Sequence, residues 1–128
     1  MATASALNLD VTRLTALASI PQLVVPMSAS YDLFSAETLV LRAHERKFID
    51  LGITLKVPQN HYGQICTRQS LSNIGVDVFN TILDPAASTP VRVMLSNNSM
   101  HELPILMGDK IALLVVVPCD QPIIRLLE

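Results

Sequence analysis

A chain of 128 residues and 14.0 kDa suits one domain. Area scaling gives roughly 6,700 Å² of folded surface against roughly 20,000 Å² unfolded, enough for a real core. The net charge of −2, the pI near 5.8 and 4% aromatic content without Trp exclude a basic field for nucleic acid.

The chain is 50% hydrophobic and only 16% charged, with a mean hydropathy of +0.42. That is more apolar than one small core needs. The excess belongs to an oligomer or partner interface, or to a dense β core with both sheet faces covered. Cys66 and Cys119 follow no metal spacing and build no disulfide framework, which favours a reducing compartment. The longest apolar run, Ile111 to Val117, is far short of the ~20 residues of a membrane span, and the N-terminus has no basic n-region. No membrane insertion and an intracellular location are therefore expected. Asn97-Asn98-Ser99 matches a glycosylation sequon, but without a secretion signal it reads as chance.

In chain order, Asp10 to Ile20 reads as a short helix capped by Asp10 or as a first strand, with the β-branched residues favouring strand. Pro21 and Pro26 bracket the extended piece Leu23-Val24-Val25. Tyr31–Phe34 and Glu37–Leu41 read as short strands, and Arg42 to Lys47 as a charged, solvated turn. Phe48 to Val57 alternates as a strand and closes at Pro58. Tyr62 to Arg68 is the next. Gly75 to Asp84 reads as a β-hairpin with its tip at Phe79-Asn80-Thr81 and a carboxylate, Asp84, before Pro85. Val91, Val93 and Leu95 share one face of a strand. Leu103 to Met107 is another strand, Gly108-Asp109 a tight turn, and Ile111 to Val117 a fully buried strand. Ile123 to Leu127 is a last short strand or arm. About ten short strands and no convincing helix give an all-β class, a barrel or jelly-roll-like sandwich. The whole of 1–128 is one domain, with residues 1–20 as an N-terminal segment and 118–128 as a C-terminal arm.

No metal box, phosphate loop or nucleophile elbow is present. His44, His61 and His101 lie far apart with no carboxylate or thiol at ligand spacing, so they read as surface or turn residues and no metal site is expected. Gly63, Gly75 and Gly108 read as isolated turn glycines.

The order of segments resembles the trimeric dUTP diphosphatases. Ser28 to Ala36 looks like their first motif, Ala-Gly-Tyr-Asp-Leu and small residues. Arg68-Gln69-Ser70-Leu71 stands where Arg-Ser-Gly-Leu is found. Gly75 to Asp84 stands at the third motif, whose hairpin holds uracil and ends in Ile-Asp. Gly108-Asp109-Lys110-Ile111-Ala112-Leu113 looks like Gly-Asp-Arg-Ile-Ala-Gln. The resemblance implies a homotrimer. It gives Asp32 from the first motif, Arg68 to face phosphate and Asp84 to orient the attacking water, as phosphoanhydride hydrolysis needs. The remaining positions of the implied nucleotide pocket are changed. The phosphate-binding Ser is Gln69, its glycine is Ser70, and the hairpin glycines are Phe79, Asn80 and Thr81. Phe79 is placed to fill the base's space. The aromatic beneath the deoxyribose falls at Ala87, and the fourth motif's Gln is Leu113. The glycine-rich fifth motif has no counterpart up to Glu128, so the site is expected to lack a lid. Each such loss costs about 2.7–4 kcal/mol of transition-state stabilisation.

More narrowly, the chain resembles the adenovirus early-region-4 proteins of the first reading frame. The shared features are Val57-Pro58 with Tyr62-Gly63, the run Val93 to Asn97, and the short tail after Pro118. That likeness implies a catalytically inactive viral module, with Asp32, Arg68 and Asp84 vestigial. It would bind host signalling proteins in the cytoplasm or nucleus and need no cofactor. Glu128 at the end does not suit an apolar PDZ pocket. The alternative is an active dUTP diphosphatase with a substituted site, using Mg²⁺. A third reading is a trimeric structural or capsid-associated β protein.

Overall fold

The structure is a computed structural model and describes residues 7–85 and 88–128. Among these, eleven strands and one short helix follow in the order β1 (Asp10–Arg13), β2 (Gln22–Leu23), β3 (Ser30–Phe34), β4 (Leu39–Leu41), β5 (Arg46–Lys56), β6 (His61–Cys66), α1 (Gln69–Ser72), β7 (Val76–Val78), β8 (Thr81–Leu83), β9 (Pro90–Asn97), β10 (Leu103–Ile105) and β11 (Lys110–Pro118). They form a four-stranded sheet β1-β5-β9-β7, a five-stranded sheet β2-β3-β11-β6-β8 and the pair β10-β4. Every strand pairing is antiparallel.

Alternation writes this packing into the sequence. Along β9, Val91, Val93 and Leu95 point inward while Arg92, Met94 and Ser96 point outward. Along β5, Ile49, Leu51, Ile53 and Leu55 are buried. Leu33, Ile65, Ala112 and Leu114 of the other sheet meet them in one core. Gly52 sits at the register shift of β5 with φ +68, and an added Cβ would sit 3.0 Å from the Ala18 Cβ and 3.1 Å from the Ala36 Cβ. Only glycine fits both constraints.

Several expectations are corrected. Of Asp10 to Ile20, only Asp10–Arg13 is strand. The charged turn is shorter than read, because Arg46 and Lys47 already belong to β5. Gly63 is a mid-strand glycine, closely backed by Leu114 and Leu83, not a turn residue. The run Ile111 to Val117 is not wholly buried. Ile111, Ala112 and Leu114 are in the core, while Leu113 and Val115 to Val117 are half-buried. The largest change concerns Gly75–Asp84. β7 and β8 do not pair with each other: β7 joins β9 in one sheet and β8 joins β6 in the other. The segment is a bridge between the sheets, because each strand finds a longer partner than its neighbour offers.

Asn97 is fully buried, and its side chain ties the loop after β9 to β4. Its Nδ2 donates to the carbonyls of Leu41 (3.1 Å) and His101 (2.8 Å), and its Oδ1 accepts from the Ser99 amide (3.0 Å) and hydroxyl (2.7 Å). The sequon's acceptor nitrogen is thus spent on the fold.

After β11 the chain leaves the body. Ile123, Ile124, Leu126 and Leu127 are all exposed and form no strand with their own chain. The accessible surface is 8666 Å², well above the roughly 6,700 Å² of a globular monomer of this mass. No helix of the described residues is long and apolar enough to cross a membrane.

Candidate active site

Register gathers the first half of the site on the outer face of the five-stranded sheet. Gln22 pairs with Asp32, Asp32 with Leu113, and Leu113 with Cys66, so these four side chains form one cross-strand row. Arg68 follows just after β6, at the N-cap position of α1, and its side chain makes no capping bond there. Its Nε lies 3.2 Å from Asp32 Oδ1, and Lys110 Nζ lies 3.5 Å from Asp32 Oδ2. Asp32 is only 2% exposed, whereas Lys110 is half exposed. A carboxylate buried this deeply needs countercharge, and two cations supply it. Those three charges sum to +1, and Asp109 on the wall of the adjoining cavity offsets it. Asp32 Oδ1 accepts no hydrogen bond, so its contact with Arg68 is ionic only.

A cavity of about 460 Å³ opens beside this cluster, lined by Arg68, Ser70, Leu71, Gly108, Asp109 and Lys110 among others. Arg68 Nη1 donates to Ser70 Oγ at 3.3 Å. Gln69 and Ser70 are exposed at the start of α1, a four-residue helix that the sequence reading lacked. Polar, β-disfavouring residues at 69–73 were its only signal. Thr67 Oγ1 accepts the Val78 amide at 2.9 Å and fixes β7 against this corner.

Asp84 stands elsewhere. It lines a second cavity, of about 290 Å³, with Phe48, Thr81, Ile82, Thr89 and Arg92. Leu83 pairs with Gly63, which sets Asp84 opposite Tyr62, six residues before Arg68. At about 3.3 Å per extended residue, roughly 20 Å separates the two ends. One chain therefore brings Asp32, Arg68 and Leu113 together but not Asp84. Asn80 is exposed and accepts from Gln64 Nε2 at 3.3 Å. Phe79 is 59% exposed, so it does not fill a pocket in its own chain as expected. Its amide donates to Met94 O, which turns the side chain outward. Ala87 lies outside the described residues.

Among the described residues, no three His, Cys, Asp or Glu side chains gather to hold a metal ion. Asp32, the one buried carboxylate of the site, already faces two cations. A protein-built Mg²⁺ cage does not fit this donor set.

The dUTPase family model matches residues 16–128. The chain is 31% identical over 119 residues to the "Probable deoxyuridine 5'-triphosphate nucleotidohydrolase" of Schizosaccharomyces pombe, covering 92% of this chain and 85% of that protein. It is 28% identical over 102 residues to the deoxyuridine 5'-triphosphate nucleotidohydrolase of Yarrowia lipolytica, covering 79% of this chain and 65% of that protein. The variola virus enzyme of the same name is 33% identical over 90 residues, covering 70% and 61%. The chain thus spans somewhat under two thirds of the length of those last two relatives. Among solved structures, the dUTPase of phage phi11 of S. aureus superposes with a TM-score of 0.89 at 23% identity, covering 94% of this chain and 96% of that one. The dUTPase of Staphylococcus bacteriophage 80alpha gives 0.88 at 22%, with the same coverages. The narrower adenoviral likeness is not part of what these matches show. The all-β fold is, and the chain belongs to the dUTPase family.

Proposed function

We propose that the chain is a dUTP diphosphatase whose site forms between copies, converting dUTP and water to dUMP and pyrophosphate. The observation that carries this reading is that Arg68 and Lys110, the two cations paired with Asp32, both line a cavity. Arg68 and Lys110 hold phosphate oxygens and offset the charge that builds on them. Asp84 accepts the proton of the attacking water as the new P–O bond forms and the bond to pyrophosphate breaks. Since Asp84 and Arg68 stand roughly 20 Å apart along one chain's sheet, the Asp84 of one copy serves the Arg68 of another. A homotrimer is the assembly that the family resemblance implies. The large exposed surface and the apolar tail Pro122–Glu128 support self-association. The tail packs on a neighbouring copy, so deleting it lowers the mass in solution; an unchanged trimer refutes that role.

The test is pyrophosphate release from dUTP and Mg²⁺ by the purified protein. Release that disappears in Asp84→Asn is expected. No release at any protein concentration overturns the proposal.

A second reading, a non-enzymatic module that binds host signalling proteins, is favoured by Phe79 facing solvent at a tip without glycine and by Leu113 in the Asp32 row. The solved 80alpha relative is described as controlling transfer of virulence genes. Calorimetry with a non-hydrolysable dUTP analogue separates the two: heat of binding supports the first, its absence the second.

A further inference from the structure

Ser70 stands where the family resemblance implies a glycine, yet the backbone there asks for none. The residue lies inside α1 (Gln69–Ser72) and is not among the residues of positive φ. Ser70 lines the Arg68 cavity, whereas Gln69 does not. The Arg68 guanidinium is held at two points: Nε lies 3.2 Å from Asp32 Oδ1, and Nη1 donates to Ser70 Oγ at 3.3 Å. Ser70 is therefore an acceptor toward Arg68, and its own O–H donates to no described residue. Three backbone amides of the same wall are already spent. Those of Leu71, Gly108 and Asp109 go to the carbonyls of Arg68, Ser35 and Leu106.

We propose that the Ser70 hydroxyl donates a hydrogen bond to a phosphate oxygen of the pyrophosphate leaving group, as a catalytic residue of this chain. The inference rests on the dUTP diphosphatase reading. Water attacks the α-phosphorus, the bond to pyrophosphate breaks, and negative charge collects on the departing oxygens. Arg68 and Lys110 meet that charge as cations, but Asp32 already claims part of both and Asp109 stands on the same wall. A neutral donor adds attraction that neither carboxylate offsets. Arg68 also sets its direction. With the guanidinium on one lone pair of Oγ, the O–H turns away from Arg68 and toward the open cavity. A bond from such a donor to an anionic oxygen belongs to the stronger, charge-assisted class. The proton stays on Ser70 throughout. The hydroxyl thus works at position 70, one residue beyond Gln69, where the resemblance implies it.

Steady-state pyrophosphate release from dUTP and Mg²⁺ by the full chain tests this with Ser70→Ala and Ser70→Thr. Ser70→Ala is expected to lower kcat/KM about 10- to 100-fold at an unchanged melting temperature, since Ser70 is exposed. Ser70→Thr keeps the hydroxyl and is expected to recover most of that loss. Inhibition by inorganic pyrophosphate is expected to weaken in Ser70→Ala, and inhibition by dUMP to stay as in wild type. Unchanged kcat/KM in Ser70→Ala overturns the proposal while the diphosphatase reading stands. So does a loss that Ser70→Thr fails to repair, or one that dUMP inhibition shares equally, because either marks a structural role. If the wild type releases no pyrophosphate, the diphosphatase reading falls, and calorimetry with inorganic pyrophosphate and Mg²⁺ decides the contact alone. Weaker binding by Ser70→Ala than by wild type then supports it, and equal or absent binding overturns it.

Discussion

On the five-stranded sheet, the outward row Gln22–Asp32–Leu113–Cys66 crosses a carboxylate that is buried and held by two cations of its own chain. On the four-stranded sheet, the row Phe79–Met94–Phe48 crosses between charges that their own chain leaves unpaired. Both faces come from the same period-two pattern. They differ in where the countercharge sits. A charge neutralised internally is fixed in place and can serve a ligand. A charge left without a partner beside exposed rings keeps its hydration and stays free to move.

The contrast can be broken most severely through the core that both faces cover. Leu95→Ala removes a fully buried side chain and is expected to cost about 2–5 kcal/mol in urea unfolding. A cost below 1 kcal/mol would mean that the inward and outward faces of β9 are wrongly assigned. Next comes Asp32→Ala, which leaves Arg68 and Lys110 without their carboxylate. The expected loss is about 1–3 kcal/mol, with raised salt sensitivity of nucleotide binding; unchanged stability would show the cluster to be unimportant to the fold. Gly75→Ala tests the bridge between the sheets. Its φ is +85 and the new Cβ would lie 3.3 Å from Ser99 Cβ, so about 1–2 kcal/mol is expected. The smallest effect belongs to Met94→Ala, measured on dilute protein. Its side chain lies on the outer face, so monomer stability should move by less than about 0.5 kcal/mol.

Much of this was legible in the sequence. Val91, Val93 and Leu95 announce their strand, and the motif order announces the family, because alternation and turn residues are local signals. The partners of β7 and β8 were not legible. Val76–Val78 and Thr81–Leu83 flank a two-residue turn as hairpin strands do, and nothing local says that each pairs with a different sheet. The site divided the same way. Asp32 and Arg68 meet because register is a property of three strands at once. The orientation of Phe79 followed from a backbone bond to Met94 that no side-chain pattern encodes.

The burial of Asn97 bears on the order of events in a cell. Oligosaccharide transfer acts on a nascent, unfolded sequon, before Leu41 and His101 have come to claim the amide. A glycan attached at that moment would wedge β4 from the loop it anchors. Synthesis in a glycosylating secretory pathway therefore sets up a race between folding and modification, whereas bacterial cytosol sets none.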